Sequence, residues 1–194
     1  MGASITRRSI LAGAGAVAGM LALGGFSRAF AGEGAPVRPP GGQDEARLQA
    51  LCVKCDRCRS ACPRGCVVAA SVSDGFLGAR TPKLDFHRGF CDFCNRCIES
   101  CPTGALAPFD PMAGKLGVAR LDASLCLAYT SGACDACKGS CAYEALAFGE
   151  SGLPSVDEAR CNGCGACVDA CEVNVYRAFD GSRERALEVA REAG

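Results

Sequence analysis

Four times along the chain, four cysteines recur at close spacing: Cys52, Cys55, Cys58 and Cys62; Cys91, Cys94, Cys97 and Cys101; Cys126, Cys134, Cys137 and Cys141; Cys161, Cys164, Cys167 and Cys171. These account for sixteen of the seventeen cysteines. In Cys-x2-Cys-x2-Cys the backbone must loop around an object and offer thiolates to three of its corners, while the fourth cysteine points elsewhere. A cube suits that better than a single ion. The run C-x2-C-x2-C-x3-C-P is the bacterial pattern for a [4Fe-4S] cluster, its fourth cysteine ligating the other cluster of a pair. Residues 52–63 and 91–102 match it in full, with Pro63 and Pro102. Residues 161–171 keep the spacing but Glu172 replaces proline, and the third quartet is stretched to C-x7-C-x2-C-x3-C. The sixteen cysteines are therefore expected to be iron ligands of four [4Fe-4S] clusters.

Three other uses of cysteine compete. A structural zinc takes pairs of Cys-x2-Cys and leaves a third cysteine at regular spacing without a role. Disulfides need specific Cα separations, which four repeated tight clusters serve poorly. An exported interaction module stabilised by zinc or disulfides is nonetheless the non-redox alternative. No Cys-x2-Cys-His occurs, so covalent haem attachment is excluded. The seventeenth cysteine, Cys66, aligns in the repeat with Ala105, Ala145 and Val175 and is expected to be a buried core thiol, not a ligand.

Because fourth cysteines cross between clusters, the quartets must pair. Either the first joins the second and the third joins the fourth, or the second joins the third and the first closes with the fourth. Each quartet is followed by a short apolar stretch. Segments such as Lys83-Leu84-Asp85-Phe86, residues 118–122 and Ser155-Val156-Asp157 alternate as half-exposed strands do. The fold expected is α+β: two ferredoxin-like modules, a polyferredoxin of small hairpins and short helices wrapped around clusters. Trp is absent and aromatic residues make only 6%, so clusters rather than rings are expected to fill the interior.

The organisation read along the chain is an export signal at 1–31, a glycine- and proline-rich linker arm at 32–45, the four-cluster domain at 46–178 and a peripheral helix at 179–194. The helix is suggested by the good helix formers of residues 182–193, with Ser182 as cap. Thr6-Arg7-Arg8-Ser9 followed by a weakly apolar run to Phe26 has the twin-arginine (Tat) pattern, with cleavage expected after Ala31. The apolar stretch is shorter than a membrane span needs. The glycines at 13, 15 and 19 mimic a dinucleotide loop, but no strand precedes them. Since the Tat route carries folded proteins, it fits a cofactor inserted before export, and a periplasmic or extracytoplasmic location follows.

Twenty-one basic and 21 acidic residues give no electrostatic footprint for nucleic acid. Losing Arg7, Arg8 and Arg28 with the signal leaves 18 basic residues against 21 acidic ones. Quartet one interleaves Lys54, Arg57 and Arg59, whereas quartet four interleaves no cation. His87 is read as a surface or capping imidazole, and Tyr129 and Tyr143 as packing residues. No catalytic constellation can be localised, and the chain is read as a non-enzyme.

The Tat pattern, Val37-Arg38-Pro39-Pro40-Gly41 ahead of the first quartet, the stretched third motif from Cys126-Leu127-Ala128-Tyr129 to Cys134-Asp135-Ala136-Cys137, and CNGCGACVDAC at the fourth together resemble the ferredoxin-type iron-sulfur subunit of periplasmic nitrate reductase systems, the NapG/MauN type. The resemblance covers most of the chain. It implies four [4Fe-4S] clusters and electron transfer from an integral membrane quinol dehydrogenase-type ferredoxin protein toward a periplasmic reductase or cytochrome, with membrane association through the partner. Two residues separate the second and third cysteines of quartet two where that family has more, so the downstream reductase is left open. The iron-sulfur subunits of other molybdopterin oxidoreductases are the alternative relatives. Likeness to four-cluster subunits favours the nested pairing, quartets two with three and one with four.

Overall fold

The computed structural model describes residues 35–173 and 184–191. The export signal at 1–31 and the stretch after the last cysteine at 174–176 lie outside the described residues.

The elements are short because each quartet interrupts the chain before a long one can form. Helix α1 (Glu45–Leu51) starts where the Asp44 side chain accepts from the Arg47 amide at 3.0 Å. Its Leu48 is fully buried. Helices α2 (Arg57–Ala61), α3 (Arg96–Glu99), α4 (Leu127–Ser131) and α5 (Ala166–Asp169) each lie within a quartet. Strands β1 (Val67–Ala69) and β2 (Pro82–Leu84) pair antiparallel, as do β4 (Leu146–Phe148) and β5 (Pro154–Val156). These hairpins match the expected ones, and with the helices they make a mixed α+β arrangement.

The third sheet differs. Strand β3 (Val118–Leu121), expected from its alternation, pairs with β6 (Leu187–Ala190) in the register Val118↔Ala190 to Leu121↔Leu187. The tail read as a helix is thus a strand in its described part. Propensity lost to burial: Ala186 and Leu187 are sequestered, and the Asp122 amide donates to the Ala186 carbonyl at 2.7 Å, extending the ladder.

The linker arm is also corrected, since residues 37–42 are buried. Arg38 is only 1% exposed and every polar contact it needs is met inside. It donates to Glu45 Oε1 at 2.5 Å and Oε2 at 2.9 Å, to Thr81 Oγ1 at 2.9 Å and to the Pro82 carbonyl at 2.8 Å. Gly41 has φ +79°, and a Cβ there would fall 1.9 Å from the Ala107 carbonyl oxygen, so only glycine lets the arm cross this closely. Arg191 closes the ring from the other terminus, donating to Glu45 Oε2 at 3.2 Å and to the Gln43 carbonyl at 3.0 Å.

The interior is built of small apolar groups rather than one aromatic core. Each of the four packed groups contains cysteine: Cys66 and Cys137 in the largest, Cys97, Cys161 and Cys126 in the others. None of the seventeen cysteines is disulfide-bonded.

Candidate metal centres

The first three cysteines of one quartet gather with the fourth of another, in the first module around a shared hollow. Cys52, Cys55 and Cys58 share theirs with Cys101, closed from inside by Leu48 and Leu106. Cys91, Cys94 and Cys97 share theirs with Cys62, closed by Pro40 of the arm and Val67, and Cys66 lines the same wall. Cys126, Cys134 and Cys171 pack in one group, and Cys137 feels Cys171, Cys126 and Cys134 as its neighbouring thiolates. Cys167 feels Cys164, Cys161 and Cys141. The quartets therefore exchange fourth cysteines one with two and three with four. The nested pairing expected from the resemblance is overturned, because the fourth cysteine of each run is carried to the adjacent quartet.

The loops explain themselves through backbone sign. Two residues after the first cysteine, and again four after it, φ is positive: Lys54 and Asp56 at 55° and 62°, Phe93 and Asn95 at 55° and 57°, Gly163 and Gly165 at 76° and 79°. A non-glycine residue there costs about 1–2 kcal/mol. Asp56, Asn95 and Gly165 each stand at the N-cap of the short helix that carries the third cysteine. Alternating left- and right-handed residues turn successive N–H groups inward, a concavity that binds anions and iron-sulfur groups. Quartet three lacks this pair. Its five extra residues go into α4, with Cys126 as N-cap and Gly132 in the left-handed region at its end.

Burial pushes the thiols up: Cys58 to about 11, Cys91 and Cys97 to about 12, Cys137 to about 11 and Cys167 to about 12, with neighbouring thiolates adding to it. Backbone amides oppose this, from Arg59 to Cys58, Phe93 to Cys91, Ile98 to Cys97 and Ala166 to Cys164. At Cys101 the balance reverses. Burial raises it, but the amides of Leu106, Thr103 and Ala105 and the Thr103 hydroxyl leave it lowered. Thiols so crowded repel as thiolates unless a cationic core lies among them, and the inward amides supply what such a core's ligands require. Asn162 Nδ2, beside Cys161, is buried without an acceptor among the described residues. Among the described residues no three His, Cys, Asp or Glu groups are arranged to hold a single metal ion. All-thiol donor sets around hollows, with donors aimed at sulfur, fit [4Fe-4S] groups.

Some features of the sites escape motif reading. The Cys91 amide donates to the Cys164 carbonyl at 2.8 Å, which places quartet two against quartet four. Phe93 stacks on Phe109 and meets Tyr143 edge-on, both with centroids 6.0 Å apart, across the same junction. Tyr129 donates from its hydroxyl to the Pro154 carbonyl at 3.1 Å, while its side chain is exposed. No sequence signal marks the Cys91–Cys164 contact, which is made by backbone.

Residues 51–105 match the model of a 4Fe-4S dicluster domain, and residues 154–177 that of a 4Fe-4S binding domain. The dicluster match spans quartets one and two, the first of the two pairs that exchange cysteines. The chain is 34% identical to the ferredoxin-type protein NapF of Escherichia coli over 146 residues, which is 73% of this chain and 84% of that protein. It is 31% identical to the ferredoxin-type protein NapG of Escherichia coli over 182 residues, 84% of this chain and 78% of that one. It is 32% identical to the methylamine utilization ferredoxin-type protein MauM of Methylophilus methylotrophus over 152 residues, 70% of this chain and 66% of its relative. No solved structure matches the chain.

Proposed function

The chain belongs to the ferredoxin-type 4Fe-4S proteins, and we propose that within this family it is an exported carrier whose sixteen quartet cysteines hold four [4Fe-4S] clusters. When bound, each cluster takes up and gives back one electron at a potential set by its surroundings. The chain's own part is to hold the clusters in order and stabilise their thiolates with amides.

The observation that carries this reading is the exchange of fourth cysteines, which ties the sites in pairs. Cys101 and Cys62 couple sites one and two, Cys171 and Cys141 couple three and four, and the Cys91–Cys164 backbone contact joins two to four. The resulting order is one, two, four, three. Electrons would enter from a membrane quinol-oxidising partner and leave toward a periplasmic reductase such as nitrate reductase, in keeping with the NapF, NapG and MauM likeness. Export folded by the Tat route follows from Arg7 and Arg8.

Protein purified without oxygen is expected to carry about sixteen irons and a broad absorbance that dithionite bleaches. Far fewer irons, or no bleaching, would overturn the carrier reading. Replacing Arg7 and Arg8 by lysine should trap a tagged chain inside the cell; export of that variant would remove the Tat assignment.

A further inference from the structure

Of the seventeen cysteines, Cys55 and Cys94 alone are exposed. Sites one and two therefore have an open edge, while every cysteine of sites three and four is covered at least in part. The two edges differ in charge. Lys54, Arg57, Arg59 and Arg80 line the hollow of site one, where Asp56 is the sole carboxylate and is engaged by Arg59 at 3.3 Å and Arg80 at 3.8 Å. Beside Cys94 the charge is mixed: Asp92 accepts from the Cys94 amide and pairs with Arg64 at 3.2 Å, and Arg96, whose amide donates to the Cys94 sulfur, is the one cation inside the loop, where quartet one has Lys54, Arg57 and Arg59.

We propose that the face around Cys55 is a docking surface for an acidic redox protein. The proposal rests on the carrier reading, which it sharpens by naming the class of partner and the site that meets it. Site one stands at one end of the order one, two, four, three, where a carrier must exchange with another molecule. The four cations are concentrated on a chain that carries excess acid once its first 31 residues are set aside. Each loaded site adds the same negative charge from its own thiolates, so the difference between the two edges survives loading. Charge of one sign around an open edge steers an oppositely charged partner and fixes its orientation.

The surface also carries the apolar area that a transient interface needs. Val53, next to Cys52, is 64% exposed. The loop at 71–80, whose last residue Arg80 reaches Asp56, presents Phe76 and Leu77 at 72% and 73% exposure. A membrane surface would satisfy the cations equally, but it gives no reason for them to ring the one open edge at the end of the series.

The test uses the full holoprotein and two probes, the hydroquinone of an acidic flavodoxin and ferric basic cytochrome c. The hydroquinone gives one electron to the oxidised protein and is left as semiquinone; the reduced protein gives one electron to cytochrome c, which is left in the ferrous form. Iron content and dithionite bleaching are measured first on the same sample, since their absence sinks the carrier reading and not this one. The flavodoxin rate should fall on the order of tenfold between about 0.02 M and 0.5 M salt. Arg57→Glu with Arg59→Glu and Arg80→Glu should lower it about tenfold at low salt and flatten the salt dependence. The variants should leave iron content unchanged and speed exchange with cytochrome c. If the charge reversals disturb cluster loading, Phe76→Ser with Leu77→Ser and the salt dependence of the unaltered protein carry the same test. A bleachable protein whose flavodoxin rate ignores both salt and these substitutions overturns the proposal. So does cation-dependent binding to phosphatidylglycerol vesicles with an unchanged flavodoxin rate.

Discussion

The sulfur of Cys66 lies 3.7 Å from that of Cys62, inside the wall of site two. Cys66 is 1% exposed, and burial, then the thiolates of Cys62 and Cys91, push its thiol up, so it stays protonated. In the corresponding positions stand Ala105 and Ala145, and the Ala145 amide donates to Cys141 Sγ at 3.3 Å. Cys66 keeps the small apolar volume of those positions and adds an S–H directed at a ligand sulfur. A donor to a thiolate favours the more negative, reduced state of a cluster. Cys66→Ala is therefore expected to keep all the iron and lower one potential by roughly 20–60 mV, and Cys66→Ser to restore most of it. Loss of about four irons in Cys66→Ala would instead make it a ligand.

Cysteine exchange predicts which substitutions act together. Cys171→Ser should alter the same electron paramagnetic resonance signal as Cys126→Ser, and Cys141→Ser the same one as Cys161→Ser, because each pair packs in one group. In the first module Cys101→Ser should follow Cys52→Ser. If Cys101→Ser grouped with Cys126→Ser, the nested pairing would return.

Legibility in the sequence follows the range of each interaction. The sixteen cysteines stand out because their spacing encodes a local loop, and the alternation at 118–121 gives β3 correctly. Which quartet receives Cys62 or Cys101 is set by contacts some forty residues away, such as Cys97 beside Cys58, and spacing has no bearing on it. Arg38 sits among glycines and prolines, whose composition spells a linker; its burial depends on Glu45, Thr81 and Pro82 meeting it from three directions. Residues 187–190 read as helix formers because the partner that makes them a strand, β3, lies far back in the chain.

Gly165 offers a test of the site-four loop. Its φ is +79°, and a Cβ would fall 2.0 Å from Cδ1 of Phe86. Phe86 is buried, so the ring has little room to retreat. Gly165→Ala should cost about 2–5 kcal/mol, left-handed strain and overpacking together. The expected outcome is a holoprotein short of about four irons, with the site-one signal intact. Full loading and an unchanged denaturation midpoint would mean that the loop can shift away from Phe86.

The Arg38–Glu45 pair sets a pH dependence of stability. Burial raises the Glu45 carboxyl, but hydrogen bonds from Arg38 and Gln49 and the charges of Arg38 and Arg191 outweigh it and leave it below its usual 4.5. A carboxyl lowered on folding binds fewer protons in the native state than in the unfolded chain, so stability rises with pH through the window between the two values. The contribution is complete above about 4.5 and is lost as pH falls through the lowered native value. Glu45→Gln leaves Arg38 buried opposite a neutral amide and should cost about 3 kcal/mol at neutral pH, the low end for a broken buried pair because the carboxylate is one-third exposed. The gap between Glu45→Gln and the parent protein in denaturant unfolding should then hold from pH 7 down to about 4.5 and narrow as the pH is taken further below it. A gap that stays constant would assign the loss to packing of the arm rather than to the ion pair.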